Sequence, residues 1–545
     1  GLRGTMAYAT PENAPPPITL PINLEGWHTL YVGIHYTRPV VFWFSTQGAL
    51  GFLRIKLSRD KCFSLIGLEE YVRHAVGVYP SKGKERSLWS SIHEVFWRHA
   101  DLTGQDVIFA QPKPEMVGGE CLSNISYIKA VPLTEEKLKE IQLEKPTSQT
   151  RRLIASYCLD KFTGSLGGSY ITSPAKEDVM ECIEPFRDSD FKIILWEGIR
   201  GDVCAYPTKI ATFSIPDKAT VKEPINLLSV AIEYAHEIGV ELYISLRMVG
   251  ASLPPVRFPI QKVPYYWRNR RFAVLDAEGN PTSHLSLAFP EVRGHWISLL
   301  REAVDYGVDG VHVIFNRSEP FVMYEKPVIE SFMEKYGEDP RNLNEHDERW
   351  LRHRASYVTR FVQEIKEMVN KAERSTGRNL GISYTIHIGA PYGKPEPKHS
   401  FNFDPIKSCL FRAIDVERWI KDELVDHLII HPISLANPES SFIVSSFKKL
   451  TKGTRVKLYP DILPRCNPAE VYLEKAIELY EAGADGFCFW DANLRHPRRS
   501  EWAMITKLGH RDQLENWRDK ARGYWRSVKL KFIGGISVKY SFTDG

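Results

Sequence analysis

Polar and aromatic side chains recur at one kind of position in this sequence, directly after short apolar runs. Cleavage of a glycosidic bond needs a carboxylic acid that protonates the leaving oxygen, and a second group that attacks the anomeric carbon or activates water. Tryptophan and tyrosine add flat apolar faces with a polar edge, which suit a sugar ring. Because almost every run ends in groups of this kind, we predict that they form one binding site and that its ligand is a carbohydrate.

Three carboxylates are the catalytic candidates: Glu319, Asp461 and Asp491. Glu319 follows the fourth apolar run and Asp461 ends the seventh, so the two would face each other across the mouth of a closed barrel. Glu197 and Glu325 compete for the same roles. The residues predicted to bind substrate are Trp196, Glu197, Arg247, Asn316, Arg317, Tyr324, His387, His431, Tyr459 and Trp490.

Four of these residues, His387, His431, Asp461 and Asp491, lie at the ends of successive runs and could converge on a cation. The spacing does not favour a metal, since the sequence has no HxH or HExxH motif and no CxxC pair. We therefore expect no metal and no cofactor. The two histidines are expected to hydrogen-bond to substrate or to the carboxylates, or one of them to act as a general base.

Apolar runs alternate with amphipathic helical patterns from residue 151 onward, which is typical of a parallel α/β fold. The predicted strands are 153–159, 192–196, 241–246, 310–315, 381–386, 427–430, 455–458 and 486–489. The clearest predicted helices are 227–237, 291–306, 350–376, 416–422 and 468–482. The turns at 306–311 and 481–487 are nearly identical, which favours repeated β/α units. We predict a (β/α)8 TIM barrel over residues 151–510. The alternative is an open doubly wound sheet, although no glycine-rich nucleotide-binding motif follows a strand.

Short runs rich in β-branched and aromatic residues predict a β-sandwich-like accessory domain over residues 18–133. Its candidate strands are 27–34, 38–44, 51–57, 106–110 and 126–133, with a helix at 90–99. Residues 1–17 are interpreted as a cloning remnant and an extended proline-rich stretch, and 134–150 as a linker with a charged helix. Residues 511–545 are expected to form a helix and a β-hairpin about Gly534 and Gly535, which packs on the barrel or returns to the N-terminal domain.

The composition limits the classes of partner. A net charge of +4 argues against a dedicated nucleic-acid surface, and no run of about 18 apolar residues predicts a membrane span. The eight scattered cysteines lack a disulfide pattern and favour a reducing compartment. We therefore expect a cytoplasmic protein, or a secreted one if a native signal peptide has been removed. The oligomeric state stays open.

Six stretches, at residues 286–295, 307–317, 324–327, 332–341, 458–465 and 483–491, together resemble the glycosyl-hydrolase-like family 10 barrels. These proteins are distantly similar to clan A glycoside hydrolases, and the resemblance implies a (β/α)8 barrel that cleaves glycosides. This chain has Asn316 where the pattern has aspartate, and it lacks the Asn-Glu pair that clan A enzymes carry after strand four. Both departures favour an inverting mechanism through water, or a base that is not a carboxylate.

Three functions follow from these observations. The first is a glycoside hydrolase acting on an oligosaccharide, polysaccharide or glycoside. The second is a hydrolase or lyase on an anionic sugar, similar to a sialidase or uronidase, in which Arg200, Arg247 and Arg317 pair with a carboxylate. The third is a carbohydrate-binding barrel without catalysis. The arginines discriminate between the first two, because a neutral sugar has no use for three guanidinium groups.

Overall fold

The protein is described by a computed structural model at residues 6–10, 13, 15–35, 52–67, 91–113, 123–159, 162, 171, 174–213, 225–248, 264–317, 320–388, 404–435, 437–463, 467–529, 532–533 and 536–537. Among the predicted features, the strand at 38–44 and the residue Glu319 lie outside these ranges. The structure has two parts, an N-terminal region of antiparallel sheets and a closed parallel barrel.

Short antiparallel strands make up the N-terminal region. They are β1 (Ala7–Ala9), β2 (Ile18–Leu20), β3 (Trp27–His35), β4 (Leu53–Leu57), β5 (Ser64–Ile66), β6 (Ser91–Asp101), β7 (Val107–Ala110), β8 (Ser123–Ile125) and β9 (Tyr127–Pro132). One sheet has the order β2–β7–β4–β5 and a second contains β6–β3–β9, while β1 pairs with β8. Leu30 and Val95 from one sheet and Ile55 and Val107 from the other belong to one buried cluster, so the two sheets share a core in the manner of a sandwich.

The predicted helix at 90–99 is wrong, because this segment is the long strand β6. It pairs with β3 over nearly its whole length, and Ile92, Val95 and Trp97 are buried. The charged helix predicted within the linker at 134–150 is confirmed as α1 (Glu135–Leu143), which starts at the N-cap Thr134.

Eight parallel strands form the barrel: β10 (Leu153–Tyr157), β11 (Phe191–Arg200), β14 (Glu241–Arg247), β17 (Gly310–Ile314), β18 (Gly381–His387), β19 (His427–Ser434), β20 (Lys457–Leu463) and β21 (Phe487–Phe489). Each pairs with the next, and β10 pairs with both β11 and β21. This pairing closes the ring, confirms the predicted TIM barrel and excludes the open doubly wound sheet. This part of the chain also contains four shorter strands: β12 (Val203–Cys204), β13 (Thr212–Phe213), β15 (Ala273–Leu275) and β16 (Pro281–Leu285).

Helices cover the outside of the barrel. They are α2 (Lys176–Ile183), α3 (Leu227–Glu237), α4 (Pro264–Arg268), α5 (Pro290–Asp305), α6 (Lys326–Tyr336), α7 (Glu348–Thr376), α8 (Pro405–Phe411), α9 (Val416–Lys421), α10 (Ser440–Thr451), α11 (Ala469–Glu481), α12 (Ala492–Arg495), α13 (Arg499–Ile505) and α14 (Arg518–Arg522). Helix α7 shows why the sequence sets such bounds: the Asp347 carboxylate caps its first turn at 2.9 Å from Arg349 N, and Gly377 ends it in the left-handed region.

The C-terminal segment returns to the N-terminal region, as one of the two expectations had it. Strand β22 (Trp525–Lys529) pairs antiparallel with β6 and completes the second sheet as β22–β6–β3–β9. The predicted hairpin is also confirmed, since β23 (Phe532–Ile533) pairs with β24 (Ile536–Ser537). The chain thus ties its two parts together by backbone pairing as well as by side chains.

Two further predictions concern the whole chain. Among the helices that the structure describes, none combines the length and the hydropathy that crossing a membrane requires. The cysteines within the described ranges are buried and carry free thiols: Cys62, Cys158, Cys182, Cys204, Cys409 and Cys488.

Candidate functional site

The barrel interior is apolar at its base. Alternate residues of each strand point inward, and the inward residues near the strand starts form a buried cluster of Ile154, Ile193, Leu195, Tyr243, Ile429, Tyr459 and Cys488. Polar side chains replace this cluster toward the carboxyl ends of the strands. The site therefore stands on a packed, water-excluding floor.

A buried histidine forms the first polar layer above this floor. The His312 ring lies 3.0 Å from Ser383 Oγ through Nδ1 and 3.3 Å from Thr385 Oγ1 through Nε2. Burial lowers the pKa of His312 to about 3, so the ring is neutral. Both ring nitrogens are already bonded to hydroxyl groups, which makes this histidine part of the scaffold.

The centre of the site is a histidine–aspartate pair. The Asp461 carboxylate lies 2.5 Å from His431 Nδ1 through Oδ2, and its Oδ1 accepts the backbone N–H of Trp490 at 2.8 Å. Asp461 is fully buried, and His431 is 2% exposed. Burial lowers the pKa of His431, and Asp461 opposes this without reversing it. A neutral ring that donates Nδ1–H to the carboxylate keeps Nε2 as a proton acceptor.

Three more groups adjoin this pair. The rings of His387 and His431 are 6.0 Å apart, and the Trp490 ring is 5.1 Å from His431. The guanidinium of Arg317 lies 5.2 Å from the centre of the Trp490 ring. Since Arg317 follows β17 and Trp490 follows β21, on the opposite side of the ring, the contact between these two side chains spans the mouth. Burial, followed by the nearby Arg412, lowers the pKa of His387 to about 3.

Asn316 stands beside His387 on the same inward face. The ladder between β17 and β18 continues past Ile314, because Phe315 N donates to Thr385 O at 2.8 Å. Asn316 is fully buried, and neither its Oδ1 nor its Nδ2 has a hydrogen-bond partner. A buried amide with both functions unused is costly in a folded protein, so we expect water or a ligand to bond to it.

Glu197 occupies a second cluster at the mouth. Its Oε1 is 2.7 Å from Arg200 Nε and 3.4 Å from Arg247 Nη1, and Arg200 also lies 3.2 Å from the Cys158 thiol. Burial raises the pKa of Glu197, but the two guanidinium groups outweigh it and the net shift is downward. Glu197 is therefore held ionised, which fits a carboxylate that orients arginines better than one that donates a proton.

Asp491 follows β21 in a left-handed backbone conformation, with φ 52° and ψ 50°. A non-glycine residue in this region is uncommon, although aspartate tolerates it better than most. Asp491 also raises the pKa of His431 electrostatically, which places its charge near that ring. The structure thus brings together Asp461, Asp491, Asn316, Arg317, His387, His431 and Trp490, with Glu197 and Arg247 as a neighbouring cluster.

Three predicted residues lie elsewhere. Trp196 is fully buried on the outer face of β11, where it stacks on Tyr157 with ring centres 5.4 Å apart. Tyr459 belongs to the apolar cluster at the base of the interior and contacts His427. Tyr324 packs against Trp350 of α7 at 5.0 Å. The competing Glu325 is buried at the start of α6, where it accepts the backbone N–H of Met323.

Arg412 and the trio of His312, Ser383 and Thr385 were missed by the sequence analysis. The trio had a signal, because Ser383, Thr385 and His387 alternate along one strand and must share a face. Arg412 follows a helix, and nothing in its neighbouring sequence marks it. In the described part of the chain, no group of three or more His, Cys, Asp or Glu side chains is arranged to hold a metal ion.

Comparison with known proteins gives similarity at the level of fold. No family model matches the chain, so the resemblance to glycosyl-hydrolase-like family 10 stays a prediction, and no curated protein matches either. An α-galactosidase from Thermus thermophilus, solved with p-nitrophenyl α-D-galactopyranoside, is 10% identical to this chain with a TM-score of 0.35. The alignment covers 77% of this chain and 74% of the galactosidase chain.

Two further solved structures are similar to the same degree. A cycloisomaltooligosaccharide glucanotransferase from Paenibacillus sp. is 12% identical with a TM-score of 0.35, over 76% of this chain and 49% of its own. An α-amylase from Lactobacillus plantarum is 11% identical with a TM-score of 0.33, over 68% of this chain and 82% of its own. The chain is a (β/α)8 barrel protein by its own strand pairing.

Proposed function

We propose that this protein hydrolyses a glycosidic bond at the mouth of its barrel, with His431 as the general base. The observation that carries the proposal is the His431–Asp461 pair at the carboxyl ends of the strands. A neutral imidazole whose Nδ1–H is fixed by a buried carboxylate is oriented to accept a proton at Nε2. The mouth of a (β/α)8 barrel is also where the active sites of such enzymes lie.

The unused amide of Asn316 supports a sugar as the ligand. An amide both donates and accepts, as a sugar hydroxyl does, so one Asn side chain can bond to hydroxyl groups on neighbouring ring carbons. A site built to hydrogen-bond hydroxyl groups rejects ligands that lack them, because its buried polar atoms would remain unpaired. Asn316 thereby favours a hydroxyl-rich ligand over an apolar one.

In this proposal Asp461 is a positioning residue. Both of its oxygens are engaged, by His431 and by the backbone of Trp490, and the side chain is fully buried. It is therefore poorly placed to attack an anomeric carbon. His431 removes a proton from water, the water oxygen bonds to the anomeric carbon, and the glycosidic carbon–oxygen bond breaks. The leaving oxygen takes its proton from a carboxylic acid, for which Asp491 and Glu319 are the candidates, and the product is inverted at the anomeric carbon.

The test begins with a screen of aryl glycosides and oligosaccharides of both anomeric configurations, neutral and anionic, followed by variants assayed on the substrate that is found. His431→Gln should lower kcat/KM on every substrate by about 10²–10⁴-fold, because base catalysis is lost. The variant of the general acid, Asp491→Asn or Glu319→Gln, should lose activity on alkyl glycosides but retain it on 2,4-dinitrophenyl glycosides, whose leaving group needs no proton.

Asp461→Asn separates positioning from a structural role. It should reduce kcat and also move the acid limb of the pH profile to lower pH, because the carboxylate raises the pKa of His431. Full hydrolysis by both His431→Gln and Asp461→Asn would contradict the proposal. Sugar binding without turnover of any substrate would instead identify a carbohydrate-binding barrel.

A further inference from the structure

The three arginines that the sequence predicts at the mouth differ in what they already bind. Arg200 is buried and bonded to Glu197, and Arg247 shares the same carboxylate. Arg317 forms no ion pair with any carboxylate in the part of the chain that the structure describes. Among the described residues, the Arg317 guanidinium thus has no carboxylate counter-ion, while Arg200 and Arg247 share Glu197.

The geometry of Arg317 leaves most of its donors unused. A guanidinium has five N–H groups, and within the described residues one of them is bonded, from Nη1 to the Asn316 carbonyl at 3.0 Å. The guanidinium also lies over the Trp490 ring, with Cζ 5.2 Å from the ring centre, a contact that favours one place for the group. The N–H edge of a guanidinium is the side that matches a carboxylate through two parallel hydrogen bonds.

Asn316 adds a second contact one residue away. Its amide is fully buried and has no partner at either polar atom. Because Asn316 and Arg317 are consecutive in the chain, we expect a ligand whose anion binds Arg317 to bring a neighbouring group to this amide. In an acidic sugar that group is a ring hydroxyl, which can satisfy an amide donor or acceptor.

We propose that the ligand of this mouth is an acidic sugar, whose carboxylate binds the N–H edge of Arg317 and whose adjacent hydroxyl binds the Asn316 amide. A carboxylate has two oxygens for one guanidinium edge, whereas a phosphate or sulfate ester presents a third oxygen that this edge does not match. The inference rests on the proposed function for the identity of the cleaved substrate, and on Arg317 and Asn316 alone for binding.

Calorimetric titration of the full-length protein tests the inference with named sugars. The acidic probes are D-glucuronate, D-galacturonate and N-acetylneuraminate, and the neutral controls are D-glucose and D-galactose. D-glucose 6-phosphate and D-glucose 6-sulfate test the form of the anion. We expect one acidic sugar to bind at least about tenfold more tightly than its neutral relative, since hydrogen bonds to charged groups are the stronger ones.

The variants assign this preference to residues. Arg317→Gln should weaken binding of the acidic sugar by about 10–100-fold and remove the preference, and Arg317→Lys should restore part of it, because the charge returns without the fork. Asn316→Ala should weaken acidic and neutral sugars alike. Arg522→Gln is the matched control, since this exposed arginine lies on α14, away from the mouth. If Arg317→Gln does not fold, Arg317→Lys against wild type decides the matter.

The outcomes separate this inference from the proposed hydrolysis. Hydrolysis of neutral glycosides that Arg317→Gln leaves unchanged would overturn the acidic-sugar inference while supporting the hydrolase. Arg317-dependent binding of an acidic sugar without turnover of any glycoside would support the inference and contradict the hydrolase. Tighter binding of the phosphate or sulfate ester than of every carboxylate would overturn the inference.

Discussion

Two buried histidine–aspartate pairs lie at opposite ends of the same barrel. His431 and Asp461 meet at 2.5 Å where strands β19 and β20 end, and His510 and Asp190 meet at 2.7 Å just before β11 begins. Both pairs are almost completely buried. Residue type, contact distance and burial are therefore nearly the same, and location is what distinguishes the two pairs.

Their surroundings differ in a way that separates function from stability. The Asp190 backbone accepts from Leu153 N and donates to Thr506 O, so this pair joins the first two strands to the segment after α13. The His510 ring also packs on Trp517, within that same C-terminal segment. Around His431 lie the side chains of His387, Trp490 and Arg317 instead, beside the unpartnered Asn316 amide. The C-terminal face of such a barrel carries chemistry and the N-terminal face carries stability.

The largest expected effect distinguishes the pairs by activity. His431→Gln should reduce kcat/KM by about 10²–10⁴-fold, whereas His510→Gln should leave the kcat/KM of the folded protein unchanged. Both substitutions remove an imidazole and keep a polar side chain, so they are matched. Assays on the substrate found by the glycoside screen, with the folded fraction of each variant measured by circular dichroism, make the comparison. Equal losses in the two variants would remove the functional distinction between the pairs.

A second effect is expected at the other pair, His510 and Asp190, and it concerns stability. Asp190→Asn should lower the free energy of unfolding by about 1–3 kcal/mol, because a buried imidazole loses its charged partner and a connection between the barrel and its C-terminal segment weakens. Urea denaturation followed by tryptophan fluorescence measures this change, with the exposed Asp519→Asn as the control. A denaturation midpoint equal to that of wild type would show that the His510–Asp190 pair does not stabilise the fold.

The barrel strands could be predicted from the sequence because each is a short, continuous apolar run between helical patterns. The structure places all eight within a few residues of the predicted bounds, and helix α3 coincides with its prediction. Strand β6 was mistaken for a helix because its edges are covered by β3 and by β22, which lies more than 400 residues later in the chain. A partner so distant leaves no local signal.

The predicted site residues failed where face and depth were ignored. Trp196 and Glu197 are consecutive in a strand and must point to opposite sides, so only one of them could face the interior. Tyr459 and Asp461 do share a face, but two residues correspond to about 6.6 Å along a strand. Tyr459 consequently lies on the floor and Asp461 at the mouth. The alternation of side chains along a strand would have excluded Trp196 from the site and identified Thr385. The depth of each side chain in the barrel could be judged only once the barrel was known to be closed.

The smallest expected effect is a shift of the pH profile, and it shows which charges act on the His431–Asp461 pair. The groups that act on His431 are Asp461 and Asp491, which raise its pKa, and Arg317, which lowers it, while burial lowers it most. The neutral ring is the active base, so the acid limb of kcat/KM reports the pKa of His431 in the free enzyme. That limb should lie below pH 6.5, the ordinary pKa of histidine.

Two variants test these charges. Arg317→Gln removes a neighbouring positive charge and should move the acid limb to higher pH, and Asp491→Asn removes a negative charge and should move it to lower pH. His387, whose pKa is about 3, would give a limb far more acidic than either variant. Shifts in the same direction for both variants would mean that a group other than His431 limits the reaction, since loss of a positive charge and loss of a negative charge must move the pKa of one ring in opposite directions.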